Sequence, residues 1–251
     1  MENAPINPDS GTVEFPPASV AWSPVAGLMM MLLFLVVQVF IAMLDLPFAA
    51  GNQLGVQVAA SNVVMLVIIF GCLLWWTGGT RRARLTIGLR WPGLKKLLLG
   101  PLKPLLIGVP VLIIWAVLQG LVLQHFDIRP PRQRVVQWLQ EQAAGGIDLR
   151  VAFFIFLAVV VAPLTEELVF RGIVYLPMRE RYGPLRAAIV VSLIFAGIHA
   201  YWAGLGHLFI LALIFTWLME STRTMLWPIM AHGVHNGAMV VLMLLAGSQT
   251  G

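Results

Sequence analysis

Charge is scarce in this chain. Only 11% of its 251 residues are charged, against about 25% in a soluble domain. With 59% hydrophobic residues and a mean hydropathy of +0.88, that shortage excludes a soluble enzyme. The composition is that of a polytopic membrane protein. Cysteine is nearly absent too. A lone Cys72 rules out an intramolecular disulfide and a cysteine-based metal cluster. Residues 1–23 hold Glu2, Asp9 and Glu14 but no Lys or Arg, unlike the basic start of a cleaved signal peptide, so the first span is expected to be retained. No internal repeat or low-complexity tract is present, which argues against repeat-built transporters. The net charge of +5 sits in loops, where it speaks to topology and anionic lipid and not to nucleic acid.

What is present is a series of long apolar runs. At about 20 residues per crossing, the chain has room for six to eight spans. The reading is an all-α polytopic bundle of about seven, near 24–44, 58–77, 104–124, 151–178, 184–202, 205–219 and 225–247. Residues 1–23 are expected to be a disordered cytoplasmic tail. Residues 24–150 carry the first spans and a basic linker, 78–103, with an interfacial amphipathic character. Residues 133–142 are predicted as a short amphipathic helix, and 151–247 as the catalytic membrane core. Seven of the sixteen basic residues lie in the 78–103 linker, so the positive-inside rule makes it and the N-terminus cytoplasmic. The arginines of 125–150 run against that orientation. Most Trp residues, including Trp22, Trp75, Trp76, Trp91, Trp202 and Trp227, fall near span ends and suit an aromatic belt.

Two adjacent acids, Glu166 and Glu167, sit inside the fourth apolar run. Ionised carboxylates at that depth are costly and mark function. Glu167 and Arg171 are spaced i, i+4 with the acid first, the favourable order for a pair. That leaves Glu166 for a cavity. Glu166 and His199 stand 17 and 16 residues either side of Gly183. At about 1.5 Å per residue both lie roughly 25 Å from that turn. His232 and Asn236 share one face of the last span, and Phe195 stands four residues before His199. His125 and His207 fall near span ends, and His235 is ambiguous. Pro163 is expected to loosen the helix beside the acids and admit water.

A carboxylate, imidazoles and an amide suit hydrolysis. Glu166, helped by His199, can take a proton from water, while His232 and Asn236 donate to an oxyanion. The same Glu166, His199 and His232 would also make a three-ligand zinc site, so zinc or no cofactor both stay open. The soluble zinc-protease pattern His-Glu-x-x-His is absent. A non-enzymatic scaffold and a proton-coupled transporter using Glu166 are the competing readings.

Glu166-Glu167-Leu-Val-Phe-Arg171, Phe195-Ala-Gly-Ile-His199 and His232-Gly-Val-His-Asn236, in that order and in late spans, resemble the CAAX prenyl protease and bacteriocin-processing (CPBP, Abi) intramembrane protease family. The resemblance covers about residues 150–247. It implies an all-helical membrane endopeptidase. In it Glu166 and His199 activate water, and His232 and Asn236 form the oxyanion site. Glu167 and Arg171 complete the first motif. It also implies a membrane-associated protein or peptide substrate, a bacterial cytoplasmic membrane, and, as the non-enzymatic alternative, a bacteriocin-immunity protein of the same fold.

Overall fold

The computed structural model describes residues 20–44, 53–131 and 133–247. Among these the regular structure is entirely helical. The elements are α1 (Pro24–Ala42), α2 (Gln53–Thr77), α3 (Thr80–Thr86), α4 (Leu94–Leu99), α5 (Leu102–His125) and α6 (Arg134–Ala143). A long helical run, Leu149–Tyr182, follows. It divides into α7 (Leu149–Phe156), a π segment (Leu157–Val161), α8 (Ala162–Glu167), a second π segment (Leu168–Tyr175) and α9 (Leu176–Tyr182). Then come α10 (Pro184–Ile198), α11 (Leu205–Thr222) and α12 (Leu226–Gly247). Among the described residues, six helical stretches are long and apolar enough to cross a bilayer. Pro184–Ile198, the fifth span of the sequence reading, is apolar but only 15 residues long. The expected tail lies, through residue 19, outside the described residues.

The chain forms two compact units. The first holds residues up to Leu32 together with Ile69–Arg129 and Glu167–Pro228; the second holds Leu33–Ile68, Pro130–Glu166 and Ile229 onward. In the first unit α10 and α5 both pack on α11. Glycines permit the close approach. A Cβ on Gly108 would meet Ile214 at 2.7 Å, and one on Gly206 would strike the Trp115 indole at 2.0 Å. Gln119 accepts from Trp115 Nε1 at 3.1 Å and donates to the Ala203 carbonyl. The outward side of α5, including Ile113, Ile114, Val117 and Leu121, is exposed, as a lipid-facing surface requires.

The basic linker is tied down at its apolar end. Arg223 adopts a left-handed conformation (φ 60°), and the turn it opens presents Thr224 Oγ1 to the carbonyls of Arg90 (2.9 Å) and Gly88 (3.1 Å). Met225 N–H also reaches Gly88 O, and Trp227 Nε1 donates to Leu97 O at 2.8 Å. Trp22 departs from the aromatic-belt reading. It is buried, stacks on Trp76 at 5.1 Å and donates to the Ile173 carbonyl at 2.8 Å.

In the second unit the amphipathic α6 folds onto α7, burying Leu139 with Val151, Phe154 and Val240. Trp138 packs on Phe154 at 4.7 Å, and Gln140 Nε2 donates to Met243 O at 3.0 Å. Asp148 caps α7, accepting from the amides of Arg150 and Val151 at 2.9 and 3.0 Å. The Val151 amide, then the Arg150 side chain, hold its carboxyl below the usual aspartate range.

Candidate active site

The glutamate pair sits on six-residue α8, between the two π segments. A π turn carries one extra residue and pairs carbonyls with amides five residues on. Each π segment here is followed, two residues later, by a proline: Pro163 and Pro177. Proline has no N–H to offer the preceding turn. The backbone is therefore short of donors on either side of the acids.

The two glutamates part company at once. Glu167 belongs to the first unit, where it is fully buried and accepts from Arg171 Nη1 at 2.9 Å. Arg171, equally buried, also donates from Nη2 to Ala212 O on α11 at 3.0 Å. Its guanidinium lies 5.0 Å from the Phe195 ring and 5.4 Å from Phe215. This pair is a neutral clamp between the long helical run and α11.

Phe195 stands between that clamp and His199. Its ring packs against the imidazole with centroids 4.8 Å apart. Its carbonyl lies 2.7 Å from His199 Nδ1. A carbonyl only accepts, so Nδ1 carries a proton, and in the neutral ring Nε2 is then the acceptor nitrogen. Span five was expected to run through residue 202. Instead α10 ends at Ile198, His199 is its C-cap, and Ala200 has φ 49°. The left-handed residue stops the helix, and His199 is left exposed at its end.

Glu166 belongs to the second unit and keeps 21% of its side chain exposed. Its Oε2 lies 3.8 Å from Nε2 of His232, which is buried. That is too long for a direct hydrogen bond and suits two groups reaching one small molecule such as water. Asn236, one turn after His232 on α12, donates from Nδ2 to the Ala158 carbonyl at 2.9 Å. The second unit thus brings Glu166, His232 and Asn236 to one stretch of the chain. Glu167, Arg171, Phe195 and His199 lie in the first unit.

Among the described residues no three His, Cys, Asp or Glu side chains are grouped as metal ligands. Glu166 and His232 supply two donors within the second unit, and the third expected ligand, His199, belongs to the first; no step is routed through a metal. Sequence reasoning missed one polar cluster. Glu220 accepts from Arg179 Nε at 2.6 Å and from Tyr175 Oη at 2.9 Å. The i, i+4 spacing of Tyr175 and Arg179 was its one trace in the sequence.

Residues 148–238 match the family described as type II CAAX prenyl endopeptidase Rce1-like. The match covers all three motifs. It is the family that the motifs resemble, and a membrane protease is what such a match implies. No curated protein and no solved structure matches the chain.

Proposed function

We propose that this chain is an intramembrane endopeptidase that hydrolyses a peptide bond of a membrane-associated protein or peptide. The observation that carries it is the approach of Glu166 Oε2 to His232 Nε2 at 3.8 Å, within a segment matching the Rce1-like family. Glu166 takes a proton from the attacking water, which adds to the scissile carbonyl. His232 and Asn236 donate to the oxyanion that forms. The proton on Glu166 then passes to the leaving amine. His199, whose Nδ1 is held by Phe195 O, is assigned by the family resemblance to the same water, with Nε2 as acceptor.

Depth supports the assignment. A 15-residue α10 is roughly 22 Å long, shorter than the roughly 30 Å hydrocarbon layer. A helix starting at one surface therefore ends, with His199, inside the bilayer. The resemblance suggests a bacterial cytoplasmic membrane, and the seven basic residues of the 78–103 linker support a cytoplasmic side for it and for the N-terminus.

Cleavage of a membrane-anchored peptide by purified protein is the test. Glu166→Gln keeps the shape and removes the base. It should lower kcat by about 10²–10⁴-fold while melting as the wild type does. Cleavage that persists in Glu166→Gln would end this reading.

A further inference from the structure

The device that holds Asn236 lies on the opposite helix, three residues before the acids. In the five-residue π segment Leu157–Val161, carbonyls pair with amides five positions on. For Ala158 that position is Pro163, which has no N–H. In the α register the same proline is the missing partner of Val159. The N–H missing from the ring and the return from π to α register together leave two adjacent carbonyls over. A buried carbonyl without a donor is costly.

Both left-over carbonyls meet α12. Ala158 O accepts from Asn236 Nδ2 at 2.9 Å. Val159 O faces Gly233, where a Cβ would come within 2.6 Å of it. Only glycine lets the two backbones approach this closely, and that approach brings Asn236 into reach. Gly237 rests against the Val159 side chain, with a built Cβ 3.8 Å from Cγ1. All these residues lie in the second unit.

A carboxamide is planar and its nitrogen carries two N–H groups. Fixing one on Ala158 O fixes the direction of the other. We propose that Pro163 is a positioning residue: by withholding a peptide N–H it frees the Ala158 carbonyl to aim the second Asn236 N–H. This rests on the reading that Asn236 donates to the oxyanion. Proline at 163 does more than loosen the helix; it exports an acceptor to the helix that carries the oxyanion donors. A related arrangement occurs at Pro177, where the carbonyl taken, by Trp22 Nε1, is that of the α-register partner Ile173.

The test is a cycle of Pro163→Ala, Asn236→Ala and the double variant, read by steady-state cleavage and by melting in detergent. Alanine at 163 restores a peptide N–H and releases Asn236. Pro163→Ala should lower kcat about tenfold with KM within about twofold, the pattern of an interaction lost in the transition state. Asn236→Ala should lower kcat about 10²-fold, as for loss of one oxyanion donor. The double variant should match Asn236→Ala within about threefold, and Asn236→Ala should cost less in melting temperature when residue 163 is alanine. Multiplied losses, about 10³-fold together, overturn the proposal, as do equal melting losses in both backgrounds. If Asn236→Ala does not fold, an unchanged kcat in Pro163→Ala alone overturns it. Absence of wild-type cleavage, or cleavage independent of Glu166, instead overturns the protease reading beneath it.

Discussion

Glu166 and Glu167 are neighbours in sequence with different electrostatic fates. Glu167 is neutralised by Arg171 at 2.9 Å, with neither side chain exposed, so only Glu166 remains to be accounted for. Removing one partner of a fully buried pair strands the other charge. Arg171→Ala should therefore destabilise the protein by about 3–5 kcal/mol, measured by unfolding of the detergent-solubilised protein. Replacing both with methionine should cost much less than that single change, because no charge is then left stranded. The i, i+4 spacing made this pairing legible in the sequence. What spacing left undecided was that the pair also reaches across to Ala212 O. That bond depends on which helix lies alongside, and hydropathy does not encode neighbours. Phe195 was legible in the same limited sense. Its ring packs on His199 as the spacing suggested, while the carbonyl that sets the imidazole tautomer is common to every residue and leaves no mark.

At the scale of elements, the apolar runs gave the helices to within a few residues, because bilayer thickness dictates their length. The exceptions have local causes. α10 stops early at a left-handed Ala200, which no glycine or proline announces. The π segments were invisible because a one-residue change of hydrogen-bond register alters neither composition nor hydropathy. Pro163 and Pro177 are the traces they leave. Trp22 was misplaced because an indole suits a membrane interface and a buried donor equally well. Its Nε1 fills the gap left by Pro177, so Trp22→Phe should cost about 1–3 kcal/mol, the penalty of a buried unpaired carbonyl. The loss should shrink when Pro177→Ala supplies an amide, as read by melting of the four proteins. Gly27 belongs to the same joint. A Cβ there would lie 2.6 Å from Ile173 O, and backbone cannot step aside.

For the whole molecule, scarcity of charge fixed the class and the clustering of cations suggested the orientation. Seven basic residues lie between Arg81 and Lys103, and Arg81, Arg82, Arg84, Lys95, Lys96 and Lys103 are exposed. Cys72 is the sole cysteine, which makes the orientation easy to test. In a Cys72→Ser background, Arg81→Cys in intact cells should resist a membrane-impermeant maleimide until the cells are opened, and Arg129→Cys should react from outside. The reverse pattern would invert the assigned topology. Substrate selection is the part of function least written in the sequence, since the matched segment, 148–238, covers the three motifs and leaves most of the lipid-facing helices outside it.

The extra residue in the Leu157–Val161 turn also bears on how this protein is redesigned or compared. Each residue of a helix turns the chain by about 100°, so a wheel drawn evenly from Leu149 assigns Glu166 to the wrong side. Deleting a single valine from that turn would change no motif and remove no side chain named in the chemistry. It would return the turn to the α register, and because the π turn already absorbs the extra residue, both carboxylates would keep the side they face; the same deletion made in regular helix would turn them by about 100°.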